Sequence, residues 1–231
     1  MNTPARPLAL ITGASRGIGA AVARALAPRC DLLLGGRDVA ALTELADRLP
    51  GARAWPVELT DPAAVAAATA GIDRLDVLVH CAGVGLLGTV AETDAQTWRR
   101  QFDVNVVAVA ELTRLLLPAL RAARGDVVLL NSGSGYTARA GWGSYAASKF
   151  ALRAFADALR AEETANGLRV TSVHPGRVDT DMQRAVVEQE GGTYEPSRYL
   201  RPESVAAAVL LAVTAPHDAM LTEVSLRPTG G

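Results

Sequence analysis

Seven short apolar runs alternate along this chain with longer Ala/Leu-rich segments, and this alternation restricts the fold more than any other feature. The runs are Leu8 to Ile11, Leu32 to Leu34, Ala54 to Leu59, Leu75 to Val79, Val127 to Leu130, Val170 to Val173 and Val224 to Leu226, and they read as strands. Residues at about 17 to 27, 38 to 49, 61 to 70, 103 to 123, 145 to 166 and 203 to 214 carry helical spacing. Strands that are apolar almost throughout are buried on both faces, an outcome that helices on both sides of a parallel sheet provide. The expected fold is therefore α/β: a doubly wound, mostly parallel seven-stranded sheet in a single domain over 1–231. Asp38 and Asp61 are expected N-caps, with Pro62 in a first turn, and Gly167 suits a left-handed C-cap. Residues from about 179 to 200 form the one long break in the alternation and are expected to be a mobile lid.

Composition narrows the partners. The 231 residues are 49% hydrophobic and 20% charged, enough for one sizeable core. A formal net charge of −1, with no basic run or interleaved aromatics, gives no pull toward nucleic acid or an anionic membrane, so a small molecule is the expected partner. Met1 to Pro7 lack a basic region followed by a long apolar core, and a cytoplasmic location is expected. Cys30 and Cys81 sit in or beside apolar runs as buried thiols. His80, His174 and His217 are scattered, and no metal site is expected.

In an open parallel sheet, ligands bind beyond the carboxyl ends of the strands. The first run leads into Thr12-Gly13-Ala14-Ser15-Arg16-Gly17-Ile18-Gly19 and then a helical segment. Glycines there permit a tight turn and close approach of backbone to a pyrophosphate, with a helix N-terminus facing the phosphates. Far downstream stands Tyr145-Ala-Ala-Ser-Lys149, a phenol and an ammonium four positions apart on one helical face. Together these stretches resemble the short-chain dehydrogenase/reductase family, whose pattern is T-G-x-x-x-G-x-G followed by Y-x-x-x-K. The resemblance covers essentially the whole chain and implies a Rossmann fold with nicotinamide-dependent chemistry.

The resemblance assigns roles residue by residue. Gly13, Ser15, Arg16, Gly17, Ile18 and Gly19 would hold the cofactor's phosphates. Families that bind NAD usually end the second strand with an acid, but this chain has Gly35-Gly36-Arg37. Arg37 and Arg16 could converge on a 2′-phosphate, which favours NADP(H); the competing reading gives the ribose to Asp38. Glu58, where the family more often has Asp, would contact the adenine, supported by the backbone of Leu59. His80-Cys81-Ala82-Gly83 resembles N-N-A-G, with Ala82 and Gly83 matching. Cys81 lacks the amide hydrogen bonds that an Asn would give the sheet, which puts sheet stability in question there.

Four residues form the implied catalytic set: Asn105, Ser132, Tyr145 and Lys149. Ser132 stands 13 positions before Tyr145, the family's separation, and Ser134 on the same loop is its competitor. A developing alkoxide needs hydrogen-bond donors and then a proton, which assigns Ser132 to orient a carbonyl and Tyr145 to protonate it. The Lys149 ammonium and a positive nicotinamide would lower the phenol's pKa. Lys149 would also hold ribose hydroxyls, and Asn105 would hold a water in a relay to the lysine. Pro175-Gly176-Arg177-Val178-Asp179-Thr180 resembles P-G-x-x-x-T, so Pro175, Gly176, Val178 and Thr180 would frame the nicotinamide. Met182, Tyr194, Tyr136 and Trp142 are candidate substrate contacts.

The resulting expectation is an NADP(H)-dependent oxidoreductase interconverting a carbonyl and an alcohol, assembled by resemblance as a homodimer or homotetramer. The alternative is a non-catalytic NADP(H)-sensing module of the same fold. A third reading, an epimerase or dehydratase, fits less well because such chains usually carry an added substrate domain. The stretch 179–200 has neither a charge cluster nor a purely apolar run, and the substrate is not read from it.

Overall fold

A computed structural model describes residues 6–229, so the reading of Met1 to Pro7 lies outside the described residues except at Arg6 and Pro7. Seven parallel strands, β1 (Leu8–Thr12), β2 (Asp31–Gly36), β3 (Ala52–Pro56), β4 (Val77–His80), β5 (Asp126–Leu130), β6 (Arg169–Pro175) and β7 (Glu223–Leu226), form one sheet in the order β3-β2-β1-β4-β5-β6-β7. Neighbouring side chains on each strand point to opposite faces, which sorts the core into two layers. Ile11 and Leu34 face one layer with Val22, Leu26, Val205 and Val209, while Leu10, Leu33 and Leu78 face the other with Leu112, Leu116, Leu152 and Leu159. Helices α1 (Gly17–Leu26), α2 (Val39–Asp47) and α8 (Pro202–Thr214) supply the first layer. Helices α3 (Pro62–Thr69), α5 (Ala108–Ala123) and α6 (Gly143–Glu163) supply the second. The doubly wound single-domain sheet expected from the alternation is thus the fold.

Local chemistry sets the ends. Asp38 caps α2 by accepting from the Ala41 amide at 3.1 Å, and Asp61 caps α3 by accepting from Ala63 and Ala64, with Pro62 in the first turn. Gly167 closes the turn after α6 at φ +84°. Two strands are displaced from their apolar runs. β3 ends at Pro56, before Glu58 and Leu59, and β4 starts at Val77 and runs through His80. His80 extends its strand because its Nε2 lies 2.9 Å from Thr113 Oγ1 on α5, which satisfies a buried polar group.

Two helices carry no apolar run and were not expected. Helix α4 (Ala95–Phe102) is polar on most faces and starts at Asp94, whose carboxylate accepts from the Thr97 amide at 2.8 Å. It continues into α5 through a π-helical turn, Asp103–Val107. Helix α7 (Asp181–Gln189) occupies the segment read as a long break, and it is capped by Thr180, whose hydroxyl accepts from Gln183 N at 3.2 Å. Its buried face is only Gln183, Val186 and Val187, too short a stripe to register as periodicity.

Candidate active site

The strand order reverses direction at β1, whose neighbours are β2 and β4, and the loops after β1, β4, β5 and β6 open there on one side of the sheet. The loop after β1 is built by contact. At Gly13, with φ +65°, an added Cβ would lie 2.9 Å from the Ala82 backbone, and at Gly19 one would lie 2.2 Å from Gly13 O. Gly17, at φ +55°, faces the Thr180 methyl, which brings the loops after β1 and β6 together. Thr12 Oγ1 accepts from the amides of Cys81 and Ala82 at 3.1 Å each. This hydroxyl, with the His80–Thr113 contact, ties down the end of β4 where an Asn side chain is lacking. Bare backbone at Gly13, Gly17 and Gly19 before a helix N-terminus is a cradle of the shape and polarity that a pyrophosphate requires, and the residues present fit a dinucleotide.

Ser132, Tyr145 and Lys149 line one cavity of about 890 Å³, together with Ile18, Gly83 and Gly176. Ser132 follows β5 in extended conformation, and its hydroxyl accepts from the Ser134 amide at 3.1 Å. Tyr145 and Lys149 stand one turn apart on α6. Burial pushes the Tyr145 phenol above its ordinary value, and its hydrogen bond with Ser132 works the other way. The expected lowering by Lys149 is not what the protein's own groups produce. The ammonium donates to Leu130 O at 3.0 Å and sits 5.9 Å from the centre of the tyrosine ring, so desolvation of the phenol prevails. Burial lowers Lys149 itself to about 8.

Asn105 lies in the π-helical turn and is buried. Its amide group accepts from Val84 N and donates to Val84 O, both at 2.9 Å, and donates to Ser148 Oγ at 3.0 Å. Both amide hydrogens are therefore spent on structure, and the loop after β4 is clamped to α6. Two supporting residues went unread in the sequence. Asn131 accepts from Ser132 N at 2.9 Å and donates to Lys149 O at 3.2 Å, which joins the serine loop to the lysine's helix turn. Gln101 accepts from Leu86 N at 2.9 Å and donates to Leu86 O at 3.1 Å. An amide residue next to a strand end, as in Asn131-Ser132, is the signal that could have found the first; the second lies on the unexpected α4.

The arginines near the glycine loop are paired. Arg37 Nη1 lies 3.3 Å from Glu58 Oε2, and Arg16 Nε lies 3.6 Å from Asp181 Oδ2. Glu58 also accepts from Thr60 N and Oγ1, at 3.1 and 2.9 Å. Trp142 and Met182 line the cavity as expected, and Trp142 meets Tyr145 edge-on at 5.7 Å. Tyr136 and Tyr194 do not line it. Tyr136 packs on His174 at 4.4 Å behind the serine loop, and the Tyr194 hydroxyl donates to Asp179 while its ring packs on Tyr199, which does line the cavity. Among the described residues, no group of three His, Cys, Asp or Glu side chains could hold a metal, and no helix is long and apolar enough to cross a membrane.

Residues 7–191 match the family model described as short chain dehydrogenase. The chain is 35% identical over 235 residues to the glycine betaine reductase ATRR of Emericella nidulans, covering 96% of this chain and 18% of that much longer protein. An uncharacterized oxidoreductase of Staphylococcus saprophyticus is 31% identical, with 96% and 97% of the two chains covered. Among solved structures, an alcohol dehydrogenase of Thermococcus sibiricus complexed with 5-hydroxy-NADP is similar at TM-score 0.88 and 27% identity, covering 97% of each chain. A metagenomic short-chain oxidoreductase in complex with NADP is similar at TM-score 0.83 and 30% identity, covering 97% of this chain and 98% of that one.

Proposed function

This chain belongs to the short-chain dehydrogenase family, and from that premise we propose that it is an NADP(H)-dependent oxidoreductase that interconverts a carbonyl and an alcohol in the cytoplasm. The observation that carries the reading is the meeting of Ser132, Tyr145 and Lys149 in one cavity that also reaches the cofactor-shaped loops. A nicotinamide dinucleotide bound there supplies or accepts the hydride. Ser132 Oγ donates to the substrate oxygen and orients it. Tyr145, kept protonated by its burial, gives that oxygen its proton, and Lys149 keeps positive charge beside the phenol as it ionises. Asn105 retains one acceptor position on Oδ1 for the relay water that the family resemblance implies.

NADP(H) is favoured over NAD(H) because β2 ends at Gly36 and is followed by Arg37, where families that bind NAD usually carry an acid. Arg37 and Arg16 are largely exposed and their ion pairs are of the weak surface kind, so both can turn to a phosphate. Gly13, Ser15, Gly17, Ile18 and Gly19 take the pyrophosphate, Leu59, Ala82 and Gly83 the adenosine side, and Pro175, Gly176, Val178 and Thr180 the nicotinamide half. Glu58 takes the adenine side with Leu59, and in this structure it pairs with Arg37 at 3.3 Å. Residues 179–200, built around α7, act as the substrate lid, with Met182, Val186 and Val187 toward the cavity. Exposed Val107 and Phe150, at 56% and 42%, support pairing of α5 and α6 with a second copy, which light scattering would read.

The test is NADPH oxidation, beside NADH, over a panel of aldehydes, ketones and quinones. Tyr145→Phe is expected to lower turnover on the order of 10²-fold or more while NADPH still binds. Near wild-type turnover by that variant would overturn the acid assignment. Tight NADPH binding with no oxidation on any substrate would instead favour the sensing module.

A further inference from the structure

Among the described residues, the cavity around Ser132 and Tyr145 is unequally charged: Arg139, Lys149, Arg177, Arg198 and Arg227 line it against the one carboxylate of Glu190. Glu190 is already committed, because both its oxygens accept from Arg177 Nη2 at 2.5 and 2.7 Å. Lys149 is held on Leu130 O, and Arg198 lies 3.7 Å from Glu195. Arg139 and Arg227 are different. Among the described residues, no carboxylate lies within ion-pair distance of either.

Arg227 is also fixed in place. Its Nη1 donates to His174 O and Leu226 O, both at 2.8 Å, which spends one arm of the fork on backbone. The other arm faces the serine loop: a Cβ placed on Gly133, next to Ser132, would lie 3.3 Å from Nη2. Arg139 lies on the same loop, seven positions after Ser132. The phosphates of the cofactor do not account for Arg227. The glycine loop follows β1, and β7, which leads into Arg227, stands four strand spacings away, roughly 19 Å across the sheet.

A guanidinium is a planar donor fork that matches a carboxylate, and Arg139 and Arg227 are both exposed and line the cavity, open to a carboxylate that enters it. Resting on the oxidoreductase reading above, we propose that the substrate is an oxo acid whose carboxylate is taken by Arg227 and Arg139 while its carbonyl oxygen meets Ser132 and Tyr145. In the reaction the carbonyl carbon gains the hydride of NADPH and the oxygen gains the Tyr145 proton, leaving a hydroxy acid and NADP+. The carboxylate takes no part in bond making. The same two cations oppose a substrate that bears a quaternary ammonium.

The experiment compares an aliphatic series of oxo acids with their methyl esters, which keep the carbonyl and remove the charge. Wild-type kcat/KM is expected to favour the acid by about tenfold or more. Arg227→Gln and Arg139→Gln are each expected to collapse that acid-to-ester ratio, and Arg227→Lys to retain part of it. Arg139 makes no side-chain hydrogen bond within the described protein, so its variant reads the charge even if Arg227→Gln disturbs the loop. Esters turned over as well as the acids, or a ratio unmoved by both variants, would sink the substrate class and leave the oxidoreductase reading standing. If neither acid nor ester is reduced, the oxidoreductase reading is decided by the wider panel of aldehydes, ketones and quinones. Calorimetry of a hydroxy acid and its ester with the protein and NADP+ then decides the substrate class: acid-selective binding lost in Arg139→Gln supports it, and equal binding refutes it.

Discussion

His174 Nδ1 lies 3.1 Å from the backbone oxygen of Ser132. The ring is wholly buried, and burial is the largest influence on its pKa, which is lowered, so the imidazole is neutral and the proton sits on Nδ1 to donate to that oxygen. Among the described residues its Nε2 has no hydrogen-bond partner, and it lies 3.9 Å from Glu223 on β7. The imidazole thus fixes the loop that presents the Ser132 hydroxyl. His174→Phe keeps the packing on Tyr136 and removes the donor. The expected result is a several-fold fall in kcat with little change in KM, and a loss of about 1 kcal/mol in urea unfolding. Unaltered kcat would show that the serine loop holds itself.

The second expectation is a pH profile. Burial lowers Lys149 to about 8 and raises Tyr145, so the phenol stays protonated across the neutral range while the ammonium is lost as pH rises through about 8. Measured as kcat/KM for NADPH, which reports the free enzyme, reduction should be level near pH 7 and decline above about 8. Lys149→Gln should be slower at every pH and lack that inflection.

Cofactor choice is tested by releasing or removing a charge. Glu58→Gln takes away the carboxylate that holds Arg37 at 3.3 Å and frees the guanidinium, so NADPH should bind more tightly. Arg37→Gln should weaken NADPH by roughly 10- to 100-fold, the worth of one or two charge-assisted hydrogen bonds, and leave NADH almost unchanged. Equal weakening of both cofactors would place Arg37 away from the 2′-phosphate.

Acid should unfold this protein partly through His80. Burial lowers its pKa to about 3, so the folded state keeps the ring neutral while the unfolded chain takes up a proton near its ordinary value of 6.5. The unfolded state then binds more protons below that value, and stability falls from about pH 6.5 toward about 3. His80→Gln can still bond to Thr113 without titrating. Its Tm is expected to fall less steeply with acid than the wild type's, measured from pH 7 to 4.

Much of the site was legible because its chemistry is local. The glycine loop, Asp38 and Asp61 as caps, and the Ser132, Tyr145 and Lys149 spacing each depend on a few neighbouring residues and a strand end. Helices α4 and α7 were not legible, since each is short and polar and gains its stability from capping and from packing on elements distant in the chain. The role of Asn105 was only half legible. A buried amide in an apolar run demanded partners, but that they are Val84 and Ser148 depends on the π-helical turn.

From its residues alone, the chain determines a parallel α/β sheet, the order in which its glycine, serine and Pro-Gly loops follow the strands, and the functional groups those loops and helix α6 carry. Those follow from hydrophobic period, glycine steric freedom and functional-group chemistry, which are properties of short stretches. Only the tertiary structure decides which charges neutralise one another. Arg177 and Glu190, or Arg37 and Glu58, pair because the fold brings them together, and Arg227 reaches the serine loop because β7 closes against β6. Ion pairing falls off over a few ångströms, whereas sequence separation says nothing of distance once the chain has crossed the sheet.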